Sequence, residues 1–352
     1  MSGENKAAIL YGPRDIRIED RDIPSLGQDE VLIRSLESSI CATEVKYWYY
    51  GIPNVQPGTT VIQGHELGGI VEDTGKGIRN SDITGTRVAI DPSLWCGLCD
   101  MCISGMSNLC RNIQFMSLPP VDGGFQQFYK APYKNIHPIP DNEQLEYISI
   151  VEPVAIGINA ISDAERIIGT ISDKTVAILG AGSLGLFLMQ SIALKNPKSI
   201  YIIEPLEYRR KLAMDLGNQT VVDPINRSEL DNIIGHGVDL VFEAAGESDS
   251  FQLASEIAKP GGIVIIIGIP INQEYIPIRA IAARRAGLTL KFVRRFNPKD
   301  FPKAIELLTS GKIIADGIIT HTFGLEDISR AFEMVHKNSD NIVKAVIYPN
   351  PC

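Results

Sequence analysis

Long apolar stretches are missing from this sequence, and so is any excess of positive charge. No segment of the 352 residues stays apolar for the roughly 20 positions that a membrane-spanning helix needs. The opening MSGENKAAIL carries Glu4 and Lys6 and no export-type apolar run, so a cytoplasmic location without membrane association is expected. Lys and Arg number 33 against 42 Asp and Glu, a net charge of -9. A field of that sign repels phosphate backbones, so nucleic acid is not expected as a partner. Cysteine is scarce: only six are present, and four of them crowd between residues 96 and 110. Without an export signal, that crowding points to metal binding rather than to a disulfide framework. No internal repeat, low-complexity tract or charge block suggests a linker.

What remains is a globular composition, 44% hydrophobic and 21% charged, in a chain long enough for two domains with separate cores. Residues 1–155 read as mostly strand and loop, with β-type runs at Val31–Arg34, Gly69–Glu72 and Arg87–Ile90 broken by Gly, Pro and Asp. From Thr175 the pattern changes. The apolar runs TVAILGAG, SIYIIEP, VDLVFEAAG and GIVIIIGIP alternate with helix-compatible segments such as Leu184–Lys195 and Glu207–Leu216. That alternation predicts an α/β fold with a parallel, doubly wound sheet over residues 156–292. Two amphipathic helices, Lys299–Ser310 and Glu326–Lys337, and a last strand, Ala345–Tyr348, make residues 293–352 a tail expected to return to the first domain.

Within the second half, Gly180-Ala181-Gly182-Ser183-Leu184-Gly185 follows the strand Val176–Leu179 directly and opens a helix. Glycines at those spacings permit a tight turn, let the backbone approach a pyrophosphate and allow close helix packing, while the helix start favours negative charge. Glu204 ends the next strand, 19 residues beyond Gly185, where a carboxylate can accept from ribose hydroxyls and repel a 2'-phosphate. NAD is therefore favoured over NADP, although Arg209 and Arg210 lie close behind and can receive such a phosphate. A Rossmann-like sheet for another nucleotide remains the alternative.

Cys96, Cys99, Cys102 and Cys110 are spaced C-x2-C-x2-C-x7-C in a segment with Gly97 and Gly105. Four thiolates on so short a segment can close a tetrahedral structural zinc site. Iron–sulfur ligation also uses four cysteines, but with other usual spacings. Cys41, His65 and Glu66 each have an ordinary role when taken singly. Together with Glu152, in Val151-Glu152-Pro153, they supply one sulfur, one nitrogen and two carboxylate donors, a set that suits an open zinc site.

The order Cys41, Gly64-His65-Glu66, the four-cysteine lobe, Glu152-Pro153 and Gly180-x-Gly182-x-x-Gly185 resembles the zinc-containing medium-chain dehydrogenases over essentially the whole chain. The glutamates resemble the sorbitol and polyol dehydrogenase branch, because alcohol dehydrogenases with a third cysteine ligand have no counterpart here other than Cys352. The resemblance implies a mostly β, GroES-like catalytic domain with a structural-zinc lobe, joined to the Rossmann domain. It implies two zinc ions per chain, the catalytic one held by Cys41, His65 and Glu66, with Glu152 meeting water at the metal or replacing it. Thr43 takes the position of the hydroxyl that carries the substrate proton away, Tyr47 that of a substrate-contacting aromatic, and Arg294 that of an arginine facing a substrate hydroxyl, with Arg295 one register away. The Rossmann loop, with Gly180, Gly182, Ser183, Leu184, Gly185, Glu204 and Arg209, holds the cofactor. Two departures stand out: Ala42 where the branch commonly has Gly, and Lys46 where many members have a proton-passing His.

The expected activity is hydride transfer from a secondary alcohol of a small-molecule polyol or sugar to NAD, since a site rich in polar partners suits several hydroxyls. Glucose-type sugar, butanediol and amino-alcohol dehydrogenases of the same superfamily are the nearer alternatives. A zinc-stabilised nucleotide-binding protein without catalysis is the alternative of another class. The resemblance also suggests a homotetramer or homodimer.

Overall fold

The computed structural model describes residues 4–79, 83–140, 145–217, 220–270, 275, 276 and 278–350. Cys352 lies outside the described residues. The chain forms two compact units, one of Met1–Glu152, Asn297–Gly311 and Ile319–Cys352, the other of Pro153–Phe296 and Lys312–Ile318.

In the first unit the strand Glu30–Ser39 is the hub. It pairs antiparallel with Glu66–Thr74 and, through its first half, with Phe128–Pro132. Its last residues pair with the final strand Lys344–Tyr348, with Ser39 opposite Val346. Arg87–Ile90 and Ile136–Pro138 extend the sheet on one side, and Ile319–Gly324 lies parallel to the final strand on the other. Two strands run longer than their apolar runs suggest. Glu30–Ser39 continues through Ser35, Glu37, Ser38 and Ser39, all of them buried. Polar residues can occupy an interior strand only where partners replace water, and those partners belong to the site described below.

The second unit holds a six-stranded, all-parallel sheet in the order Val221–Val222, Ser199–Ile203, Thr175–Leu179, Val238–Glu243, Ala258–Ile266, Thr289–Phe292. Its central strands are apolar on both faces, as burial under helices requires: Val176, Ala177, Ile178, Leu240, Val241 and Phe242 are all excluded from solvent. Strand order reverses next to Thr175–Leu179, the position at which such sheets open a crevice at their carboxyl ends.

The loop after Thr175–Leu179 shows why its glycines are there. Gly180 has φ 98°, and a Cβ on Gly185 would lie 1.9 Å from the Gly180 carbonyl oxygen. At Gly182 the nearest atom to such a Cβ is Nη1 of Arg209, 3.9 Å away, so this glycine leaves open space. Two substitutions should therefore separate. Gly185→Ala must displace backbone and is expected to cost about 2–3 kcal/mol, whereas Gly182→Ala should cost less than about 1 kcal/mol. Urea denaturation of the two variants checks this, and equal losses would contradict it.

Candidate metal and nucleotide sites

The helix Ala42–Tyr50 begins where the Glu30–Ser39 strand ends, with Cys41 as its N-cap. Three residues into the helix, Glu44 turns its carboxylate back into the protein. Its Oε1 accepts from the backbone N–H groups of Gly64 at 2.7 Å and His65 at 2.9 Å, from His65 Nδ1 at 2.8 Å and from Ser117 Oγ at 3.0 Å. Its Oε2 accepts from the Cys41 N–H at 3.1 Å. Glu44 thereby ties the two segments carrying Cys41 and His65 to one another. Gly64 must be glycine for this junction: its φ is 100°, and a Cβ there would come within 2.9 Å of the Phe125 nitrogen.

Glu44 also decides what the imidazole presents. In a neutral ring, a carboxylate at Nδ1 requires the hydrogen on that nitrogen, leaving the lone pair on Nε2. Burial pushes the Glu44 carboxyl up, but the His65 ring and the surrounding donors outweigh it and hold it below the ordinary value. Burial opposes charge on His65 too, yet Glu44 and Cys41 hold that ring well above the usual histidine range. The local field therefore favours a positive centre.

Cys41, His65 and Glu66 offer donor atoms that all lie within 4.8 Å of one another, a half-buried sulfur with a buried nitrogen and oxygen, a set that fits a zinc ion. Glu152 is not in that cluster but is close. Burial pushes its carboxyl up to about 8, with His65 and Lys344 pulling it down and Glu66 and Asp91 pushing it further up.

Lys344, at the start of the final strand, was not anticipated. It is 3% exposed, its Nζ pairs with the Glu66 carboxylate and donates to the Ile40 carbonyl at 3.1 Å. Burial opposes its charge, but Glu66, Cys41 and Glu152 more than compensate. The same oxygen of Glu66 accepts from Ser39 Oγ. Thr43 and Tyr47 sit on the helix Ala42–Tyr50, both half-buried.

In the cysteine lobe the sulfurs of Cys99 and Cys102 are 3.6 Å apart, those of Cys99 and Cys110 3.9 Å, and those of Cys96 and Cys110 3.5 Å. Sulfurs placed tetrahedrally about 2.3 Å from zinc would be about 3.8 Å from each other, and a disulfide would need about 2.05 Å. The four residues therefore fit a closed metal site. Backbone N–H groups, that of Leu98 first, lower the Cys96 thiol to about 6.

In the second unit Glu204 is buried, its carboxylate accepting from the Ala181 N–H at 2.7 Å and the Leu206 N–H at 2.9 Å. It braces the glycine loop from the position just beyond the Ser199–Ile203 strand. Ser183 and Leu184 open the helix Ser183–Ala193 beside Gly182. Arg294 is exposed just beyond the Thr289–Phe292 strand. Arg295 has φ 52°, and its carbonyl accepts from Asn159 Nδ2 at 3.1 Å. Both belong to the second unit, whereas Cys41, His65, Glu66 and Glu152 belong to the first.

A parallel nucleotide-type sheet with its glycine loop, a Cys-His-Glu cluster and a four-thiol lobe are the marks of a zinc-dependent dehydrogenase. The family model described as an alcohol dehydrogenase GroES-like domain matches residues 27–141, and that described as a zinc-binding dehydrogenase matches residues 183–310. The chain belongs to the zinc-containing medium-chain dehydrogenase family, in its sorbitol dehydrogenase-like branch. It is 30% identical to sorbitol dehydrogenase of Bacillus subtilis, across 98% of this chain and 97% of that one. It is also 30% identical to L-idonate 5-dehydrogenase of Vitis vinifera, across 94% and 91%. Among solved structures, a zinc-binding dehydrogenase of Sinorhizobium meliloti bound to NADP superposes with a TM-score of 0.87 at 28% identity, covering 99% of this chain and all 100% of the other.

Glu44→Ala would strand several buried N–H donors at once. Thermal unfolding should show a loss of about 3 kcal/mol or more. A loss below 1 kcal/mol would mean that Glu44 is not what holds His65 in place.

Proposed function

We propose that the chain oxidises a secondary alcohol of a polyol or sugar, with NAD as hydride acceptor. The observation that carries this reading is the Cys41, His65 and Glu66 cluster, with Glu152 and Lys344 beside it. Cys41, His65 and Glu66 would hold the catalytic zinc, and Cys96, Cys99, Cys102 and Cys110 a structural one. When bound, zinc supplies Lewis acidity that lowers the pKa of an alcohol, and the nicotinamide supplies the hydride acceptor.

The protein's own groups do the rest. Glu44 keeps His65 in the tautomer that exposes Nε2. Lys344 and Ser39 hold the Glu66 carboxylate in one orientation. Glu152, whose carboxyl burial pushes up to about 8, sets a second carboxyl beside that of Glu66. A substrate with adjacent hydroxyls can use both. Thr43 Oγ, in the first turn of the helix capped by Cys41, would accept the alcohol proton as its own hydroxyl proton passes on to solvent water, and Tyr47 and Arg294 would contact other substrate hydroxyls.

The similarity to sorbitol and L-idonate dehydrogenases supports a polyol or sugar acid-type substrate. Glu204 at the strand end supports NAD by repelling a 2'-phosphate. Arg209 supports the second reading, NADP, because its guanidinium reaches over the loop to within 3.9 Å of the place a Gly182 Cβ would take, and the Sinorhizobium relative is bound to NADP. We further infer a cytoplasmic homodimer or homotetramer; among the described residues no helix is long and apolar enough to cross a membrane.

Metal analysis together with NAD+ and NADP+ reduction on polyols, aldoses, vicinal diols and simple alcohols tests the proposal. The expected result is about two zinc ions per chain and NAD+-dependent oxidation of polyols. Cys41→Ser should remove one zinc and nearly all turnover while the lobe keeps its metal. Turnover on monohydric alcohols alone would overturn the polyol assignment, and one zinc with no turnover on any alcohol would overturn the enzyme.

A further inference from the structure

One buried acid plays no part in the mechanism above. Glu37 lies on the Glu30–Ser39 strand and is 3% exposed. Burial pushes its carboxyl up to about 7, against the pull of the Ser149 and Ile148 N–H groups and of Arg87. An acid kept in such a place costs desolvation free energy, so its partners are informative. Its Oε1 accepts from the Ser149 N–H at 2.7 Å. Across the strand pair Glu37 stands opposite Gly68, and two residues on Ser39 stands opposite Glu66.

Gly68 is where another segment presses in. A Cβ on Gly68 would fall 2.7 Å from Cβ of Ile148 and 3.5 Å from Cγ of Glu37. Ile148 and Ser149 are therefore held between a glycine of one strand and a carboxylate of the next. The Val151 N–H then donates to the Ile148 carbonyl at 3.2 Å, and the helix Val151–Ile168 begins with Glu152 in its first turn. The strand that bears Glu37 ends at the site. Ser38 Oγ donates to the Glu66 carbonyl at 2.9 Å, Ser39 Oγ to the Glu66 carboxylate, and Cys41 follows.

We propose that Glu37 is a positioning residue for Glu152: by gripping the backbone at Ile148 and Ser149, it fixes where the first helical turn places the Glu152 carboxyl relative to Cys41, His65 and Glu66. The functional part of this inference rests on the dehydrogenase reading above. Ser149 needs an acceptor, which a glutamine at position 37 can still supply through its amide oxygen and an alanine cannot.

The test is a double-mutant cycle on the zinc-loaded enzyme, with hydrogen exchange as a readout that does not need turnover. Glu37→Ala should lower kcat about 10- to 100-fold, the cost of a displaced catalytic group, with both zinc ions retained, and Glu37→Gln should recover most of that loss. On a Glu152→Gln background, Glu37→Ala should lower kcat less than about twofold further. Full multiplication of the two losses would overturn the proposal, since Glu37 would then act other than through Glu152. In exchange measured by mass spectrometry, peptides over 145–155 should lose protection in Glu37→Ala while those over 175–179 do not. Unchanged protection at 145–155 would overturn the grip itself. Should the wild-type enzyme oxidise no alcohol, the dehydrogenase reading fails and the exchange result alone decides whether Glu37 holds this helix start.

Discussion

One carboxylate oxygen, Oε1 of Glu44, takes hydrogen bonds from two backbone N–H groups, an imidazole and a serine. Removing a carboxylate from water is costly, and an incomplete set of partners would leave several kcal/mol unrecovered. Here the set is complete, so the arrangement has little freedom: the helix start at Cys41, the turn at Gly64 and the ring of His65 are all tied to one carboxylate. Charge-assisted hydrogen bonds are short and directional, and the orientation of the imidazole follows from them.

The second constraint is charge. Cys41, Glu66 and Glu152 would concentrate negative charge where both glutamates are shielded from water. Lys344 offsets it within the protein, through Glu66, and burial offsets it again by favouring the protonated form of Glu152. The cluster is thus able to fold with its ligand-type groups already gathered, at the expense of a buried lysine whose hydrogen bonds to Glu66 and Ile40 must both be kept. Polar residues along the Glu30–Ser39 strand serve the same end, each directing a hydroxyl or carboxylate to a neighbouring segment.

Much of this was legible before any coordinates. The apolar runs from Thr175 onward and the glycine spacing at 180–185 determine a parallel sheet and its loop through local geometry alone. Four cysteines within 96–110 must come close because the chain between them is short. Cys41, His65 and Glu66 are grouped in the sequence by donor chemistry and family resemblance rather than by spacing, since His65 lies 24 positions beyond Cys41. Glu44 left a trace in its place three residues after a helix-capping cysteine, but nothing in the sequence told a buried acid from a solvated one. Lys344 and Glu37 left none. Their partners are 304 and 112 residues away, and such pairings depend on strand register. Glu204 was read for its reach to a ribose, whereas its bonds to Ala181 and Leu206 follow from the backbone path of the loop.

The distance in sequence between Lys344 and the cluster it neutralises bears on how the protein is born. Synthesis runs from the N-terminus, so Cys41, His65 and Glu66 leave the ribosome well before the lysine does. At about 5–20 residues per second, the interval is on the order of 15–60 s. During that time the sheet also lacks its final strand, which pairs with Ser38 and Ser39. A nascent chain in this window carries ligand-type side chains without their internal counter-charge. The register of the last strand is therefore what delivers the protein's own counter-charge to these side chains.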